Sequence, residues 1–166
     1  MKHFISRRNF LKAVGVTAAA SAMAAAVPQA SAGFLTGKDA AVTILYTNDV
    51  HTYIDHKSPK LTYAAIAAMK QGYVDEGKPV LLVDAGDHIQ GTAYGSMDDG
   101  ATIIELMNEA GYDIATLGNH EFDYGMARAK AIIKEADFPY VSCNWVDLRT
   151  GLRVLPAVKL FPAGGK

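Results

Sequence analysis

Residues 79–91 read Pro-Val-Leu-Leu-Val-Asp-Ala-Gly-Asp-His-Ile-Gln-Gly, an apolar run that breaks into a glycine-rich turn carrying carboxylates and an imidazole. The run is too short for a helix and is bounded by turn residues, so Pro79 to Asp84 is read as a strand. Upstream, the β-branched run Ala41 to Thr47 is a second, buried strand. Between the two, Ser58-Pro59 has the form of an N-cap with proline at the first helical position. Leu61, Ala65, Ala68, Met69 and Tyr73 then recur at helical spacing up to Gly77. Downstream, a glycine-rich loop runs from Ala85 to Gly100, and a helix from about Ala101 to Ala110 sets Ile103, Leu106, Met107 and Ala110 on one face. A strand at Ile114 to Leu117, a loop, a helix at about Gly125 to Ala136 and a strand at Pro139 to Cys143 follow, and residues 156–161 suggest a fifth strand. This alternation predicts βαβ units: an α/β fold with a parallel sheet, right-handed crossovers and helices over its faces. Ligands of such sheets bind at the carboxyl ends of the strands.

The N-terminus is organised differently. Ser6-Arg7-Arg8-Asn9-Phe10-Leu11-Lys12 precedes an Ala-rich apolar stretch from Ala13 to Val27 and the small triplet Ala30-Ser31-Ala32. A charged region, an apolar region of about fifteen residues and a small-residue cleavage site make an export signal, too short to span a bilayer comfortably. The segment resembles a twin-arginine signal peptide, so residues 1–32 are expected to engage the twin-arginine translocase and deliver the chain to the periplasm, cell surface or medium. Without residues 1–32, 134 residues remain, of which 33–40 are read as a linker. Lys2, Arg7, Arg8 and Lys12 all lie in the signal, which leaves twelve cations against seventeen acids, a net −5. An acidic domain with no basic stripe is a poor nucleic-acid binder, and no nucleic-acid or stable protein partner is expected. A lone cysteine, Cys143, forms no internal disulfide.

Chemistry gathers at the strand ends. The first ends in Thr47-Asn48-Asp49-Val50-His51, where the Asp-x-His spacing lets a carboxylate and an imidazole converge; alone this is a common pairing. The second presents Asp87 between Gly86 and Gly91, which allow a tight turn. No Lys-Ser/Thr follows these glycines and no G-x-G-x-x-G occurs, so a nucleotide cradle is disfavoured. The third ends in Leu117-Gly118-Asn119-His120-Glu121-Phe122-Asp123, the most specific stretch in the chain. There the Asn119 oxygen can ligate a hard metal while Asp123 orients the His120 imidazole. Oxygen and imidazole ligands without thiolate suit Mn, Zn, Fe, Co or Mg, and Asp87 is placed to bridge two ions about 3.5 to 4 Å apart.

These three motifs, at these spacings, resemble those of the calcineurin-like metallophosphoesterases. The finer pattern, with Gln90-Gly91-Thr92 after Asp87, is similar to the 5′-nucleotidase branch, which includes UDP-sugar hydrolases and 2′,3′-cyclic phosphodiesterases. The resemblance implies a β-sandwich flanked by helices, of which residues 41–166 would be the N-terminal βαβαβαβ half. It implies two divalent metal ions, with Asp49 and His51 on the first, Asp87 bridging and Asn119 on the second. Asn119 and His120 would bind substrate, and His120 with Asp123 would be catalytic. The implied reaction is attack of a metal-bound hydroxide on the phosphorus of a nucleotide or nucleotide-sugar. A thiosulfate-ester hydrolase of the same superfamily and an inactive metal- or phosphate-binding fragment are the alternatives.

The sequence departs from that pattern in two places. Thr52 stands where the family usually has glycine, which is expected to put a side chain beside the first metal. No histidine follows His120, whereas the family draws further ligands from later strands; the chain is therefore expected to be part of a longer protein and inactive alone. Of the remaining residues, His3 and His56 are expected to be solvated, His88 to pack beside the site, and Glu121 to orient its loop. Cys143 is expected to be a buried core thiol, Asn144 a turn residue, and Tyr140 and Trp145 packing residues.

Overall fold

The computed structural model describes residues 42–54 and 62–161. The expected export segment, linker and Ser58-Pro59 cap, and His56, lie outside these residues. Three parallel strands, β1 (Thr43–Thr47), β2 (Val80–Asp84) and β3 (Ile114–Ala115), form a sheet in that order. Thr43 pairs with Val80 and Thr47 with Asp84, while Asp84 pairs with Ala115. The strands therefore finish level, and the chain leaves all three at the same edge.

Helix α1 (Tyr63–Asp75) connects β1 to β2, and α3 (Ala101–Ala110) connects β2 to β3. α1 is capped by Thr62, whose hydroxyl accepts the Ala65 N–H. Its buried face is Tyr63, Ala64, Ile66 and Ala67, one step round from the expected Leu61, Ala65 and Ala68 stripe. In an Ala-rich helix the apolar pattern barely distinguishes the two faces, and packing against β2 and α3 decides. α3 has the expected limits between Gly100 and Gly111, both left-handed, and buries Ile103, Ile104, Met107 and Ala110. Leu106, expected on that face, is partly buried against the core. A short helix, α2 (Ala93–Ser96), interrupts the glycine-rich loop, and α4 (Met126–Glu135) packs against α3.

Leu82, Ile89, Ile103, Ile104, Met107 and Ile132 are fully buried, and each such side chain contributes about 1.5 to 3 kcal/mol. Lys70 braces α1 against the start of β3, donating to the Gly111 carbonyl and to Asp113, which also accepts the Leu82 N–H. The outer face of β1 is uncovered among the described residues: Ile44 is 60% and Tyr46 73% exposed.

The expected strand at Pro139 to Cys143 shrinks to one parallel bridge between Ala115 and Tyr140. Cys143 lies past that bridge with its side chain exposed, not in the core. The fifth strand, residues 156–161, is irregular: Val158 and Leu160 point into solvent, and only the Pro156 carbonyl is tied back, to the Ser142 N–H. An apolar run becomes a strand only where a neighbouring strand accepts its backbone, and none does so among the described residues. No helix among the described residues is long and apolar enough to cross a membrane.

Candidate metal centre

Past the sheet, the loops after β1 and β2 continue side by side. Asp49 N–H donates to the Gly86 carbonyl (3.1 Å) and His51 N–H to the Asp87 carbonyl (3.0 Å). To keep this pairing while turning, Asp49, His51, Thr52 and Asp87 adopt left-handed backbone, with φ of 52°, 48°, 56° and 58°. The loop after β3 meets them from the other side. A side chain on Gly118 would stand 2.2 Å from Asp87 Oδ1, so glycine alone lets the Asp87 carboxylate lie against this turn.

The donor atoms of His51, Asp87 and His120 all lie within 4.8 Å of one another. The two imidazoles meet edge to face, 5.0 Å between centroids. His51 Nδ1 lies 3.1 Å from the Gln90 carbonyl, which can only accept, so Nδ1 carries the proton and Nε2 keeps its lone pair for the cluster. Asp49 Oδ1 lies 3.6 Å from that Nε2. His120 Nδ1 donates to Asp123 Oδ2 at 2.7 Å, again leaving Nε2 turned to other work. That hydrogen bond is the main cause that raises the His120 pKa above its usual value; desolvation opposes it, and the negative charges of Asp123, Asp87 and Glu121 reinforce it. Asp87 Oδ1 accepts the His120 N–H at 2.7 Å.

Three of the expected residues thus converge, and Asp49 and Asp123 attach to them through His51 and His120. Asn119 is exposed at the foot of a neighbouring groove of about 420 Å³, which Ser142, Asn144 and Trp145 also line. Asn144 sits in an exposed bend, as expected, and Trp145 packs edge to face on Phe122. Thr52 does not stand beside the cluster. Its side chain is fully buried and interlocks with Thr92, hydroxyl to hydroxyl at 2.7 Å and Thr92 N–H to Thr52 Oγ1 at 2.6 Å. The left-handed turn at residue 52 rotates the threonine inward, so the departure at this position fixes the first loop to the second.

Beneath the cluster lies a buried polar layer. His88 is fully buried, Nδ1 against Asp84 Oδ1 (2.7 Å) and Nε2 against the Tyr140 hydroxyl (2.8 Å). Burial pushes its pKa down, but the Asp84 hydrogen bond and the charges of Glu121, Asp84 and Asp87 outweigh this, and the net direction is up. Asp84 also accepts from Thr47, whose hydroxyl meets Tyr112 OH. Glu121, fully buried, orients its loop as expected. It accepts the N–H of Asp87 and Gly118 on one oxygen and of His88 and Ile89 on the other. Sequence reasoning missed the Gln90 and Thr92 contacts, although Gln90-Gly91-Thr92 had marked that stretch.

The donor set is one carboxylate, two imidazoles and an adjacent carboxylate, with no thiolate or fixed cation among them, which fits a hard or borderline divalent ion.

Comparison with known proteins agrees. The chain is 40% identical over 114 residues to a snake venom 5′-nucleotidase of Gloydius brevicauda, covering 62% of this chain and 19% of that protein. It superposes on the 5′-nucleotidase precursor of Thermus thermophilus with a TM-score of 0.65 at 29% identity, covering 75% of this chain and 27% of that one. The sulfate thiohydrolase of the same organism shares the fold alone, at 17% identity, TM-score 0.64 and coverage of 77% and 34%. The chain spans about a fifth of the length of the curated relatives it matches. The calcineurin-like phosphoesterase profile matches residues 42–165, a stretch that contains the whole donor cluster and the carboxylates beneath it, and the chain belongs to that family.

Proposed function

We propose that this chain carries metal- and phosphate-binding residues of a two-metal phosphoester hydrolase that releases phosphate from nucleotides. The observation that carries this reading is the convergence of His51, Asp87 and His120 within 4.8 Å at the carboxyl edge of the sheet. Asp49, His51 and Asp87 would hold one divalent ion, and Asp87 with Asn119 a second. When bound, such ions supply Lewis acidity to the phosphoryl oxygens and acidify coordinated water. His120 contributes a proton donor: Asp123 holds Nδ1, so Nε2 of the imidazolium can donate to a phosphoryl oxygen and pass its proton to the departing alcohol. The names of the curated relatives support nucleotides as substrates; UDP-sugars and 2′,3′-cyclic nucleotides are added by the motif resemblance alone.

The test is release of phosphate from AMP, of UMP from a UDP-sugar and of a nucleoside monophosphate from a 2′,3′-cyclic nucleotide in Mn²⁺ or Zn²⁺, using the protein that carries these residues. His120→Ala should lower kcat by about 10²- to 10⁴-fold; an unchanged rate would remove His120 from the reaction. Residues 33–166 alone should hold fewer than two ions tightly in equilibrium dialysis. Residues 1–32 are read as a twin-arginine export signal on sequence alone. Changing Arg7 and Arg8 to Lys should leave the protein in the cytoplasm, and export unaffected by that change would refute the signal.

A further inference from the structure

We infer that Glu121 is a positioning residue for the metal centre, its carboxylate fixing both the direction of Asp87 and the turn that carries His120. The inference rests on the proposed function for what the centre binds, but its geometry does not. Glu121 Oε2 accepts the N–H groups of Asp87 (2.8 Å) and Gly118 (2.6 Å), one from each of two strand-end loops. Oε1 accepts from His88 (2.8 Å) and Ile89 (3.4 Å), with the His88 ring nitrogen 3.5 Å away. Both oxygens therefore face donors only. A glutamine of the same shape has one acceptor oxygen, and its NH₂ would be pressed against two N–H groups whichever way it turned. The backbone pinned in this way is that of Asp87, whose Oδ1 in turn accepts the His120 N–H (2.7 Å). One buried carboxylate thus couples the second loop to the third, and the Asp87 side chain passes that order to His120.

The His120 amide reports the consequence, because it bonds Asp87 and not Glu121. Hydrogen exchange of the metal-free chain would be compared among wild type, E121Q and I132A, the last truncating a fully buried apolar side chain in α4 that takes no part in these hydrogen bonds. In E121Q the His120 amide should exchange about tenfold faster than in I132A at matched global stability, and Mn²⁺ affinity should fall about tenfold where I132A leaves it unchanged. His120 exchange equal to that of I132A would overturn the proposal. Should E121Q not fold, E121D keeps the charge but draws it back by one methylene, and it carries the same expectation. Loss of fold in both, with I132A intact, would assign Glu121 to the core and also overturn the proposal. A wild-type chain that takes up no Mn²⁺ would sink the metal reading, while the exchange result would still decide this one.

Discussion

The loops at the carboxyl edge of the sheet and the segment from Val146 to Phe161 are both irregular chain, yet they are held by opposite means. In the loops, the backbone N–H groups of Asp49, His51, Asp87, His88, Gly118 and His120 all find acceptors, several from side chains more than thirty residues away in sequence. Thr52, His88 and Glu121 are fully buried polar residues, and each is satisfied. In the later segment the bonds are mostly local, a turn about Asp147 and a bridge from Val146 to Arg153, while Leu148 (96%) and Leu160 (87%) lie in solvent. Irregular backbone becomes fixed where polar side chains supply what a sheet would have supplied. Apolar side chains cannot do this until another layer meets them.

The comparison breaks most visibly at His88. His88→Ala leaves the carboxylates of Asp84 and Glu121 buried without their shared cation, and should cost about 3 to 5 kcal/mol of stability in denaturant titration. A loss below about 1 kcal/mol would mean that the buried layer does not hold the loops. Next in size, Gly118→Ala places a methyl against Asp87 Oδ1 and should weaken Mn²⁺ binding about tenfold, read by competition against a chelating dye.

A pH scan sharpens the contrast further. The folded-state pKa of His88 is raised, so its contribution to stability is complete below its unfolded value of about 6.5 and is lost as pH climbs through the raised folded value. The Tm of the metal-free chain should therefore fall with rising pH above about 6.5, and a Tm that climbs there would contradict an imidazolium between the two carboxylates. At the small end, Leu148→Ser should change stability by no more than about 0.5 kcal/mol, because the side chain touches little.

Some of this was legible in the residues. Glycines on both sides fixed α3 to Ala101–Ala110, because only left-handed backbone stops and starts a helix so abruptly there. The strand-end rule brought His51, Asp87 and His120 to one place, since parallel register levels the strand ends. Three features were hidden for physical reasons. Thr52 meets Thr92 across forty residues, a contact no local pattern encodes. Thr62 caps α1 because packing of Tyr63 and Ile66 sets where the helix starts, and the Ala-rich stretch is neutral on the matter. The strands expected after Pro139 had the right composition but found only one bridge to pair with.

The left-handed residues at the strand ends bear on how such a chain changes over generations. Asp49, His51 and Asp87 occupy backbone that glycine adopts freely, and for a residue such as His51 the conformation costs about 1 kcal/mol. Selection for stability alone would let glycine drift into these positions. Carboxylates and an imidazole on such ground are what the proposed metal site would keep there. A lineage that stopped using the site would erase it there first, well before the core beneath it lost a methyl group.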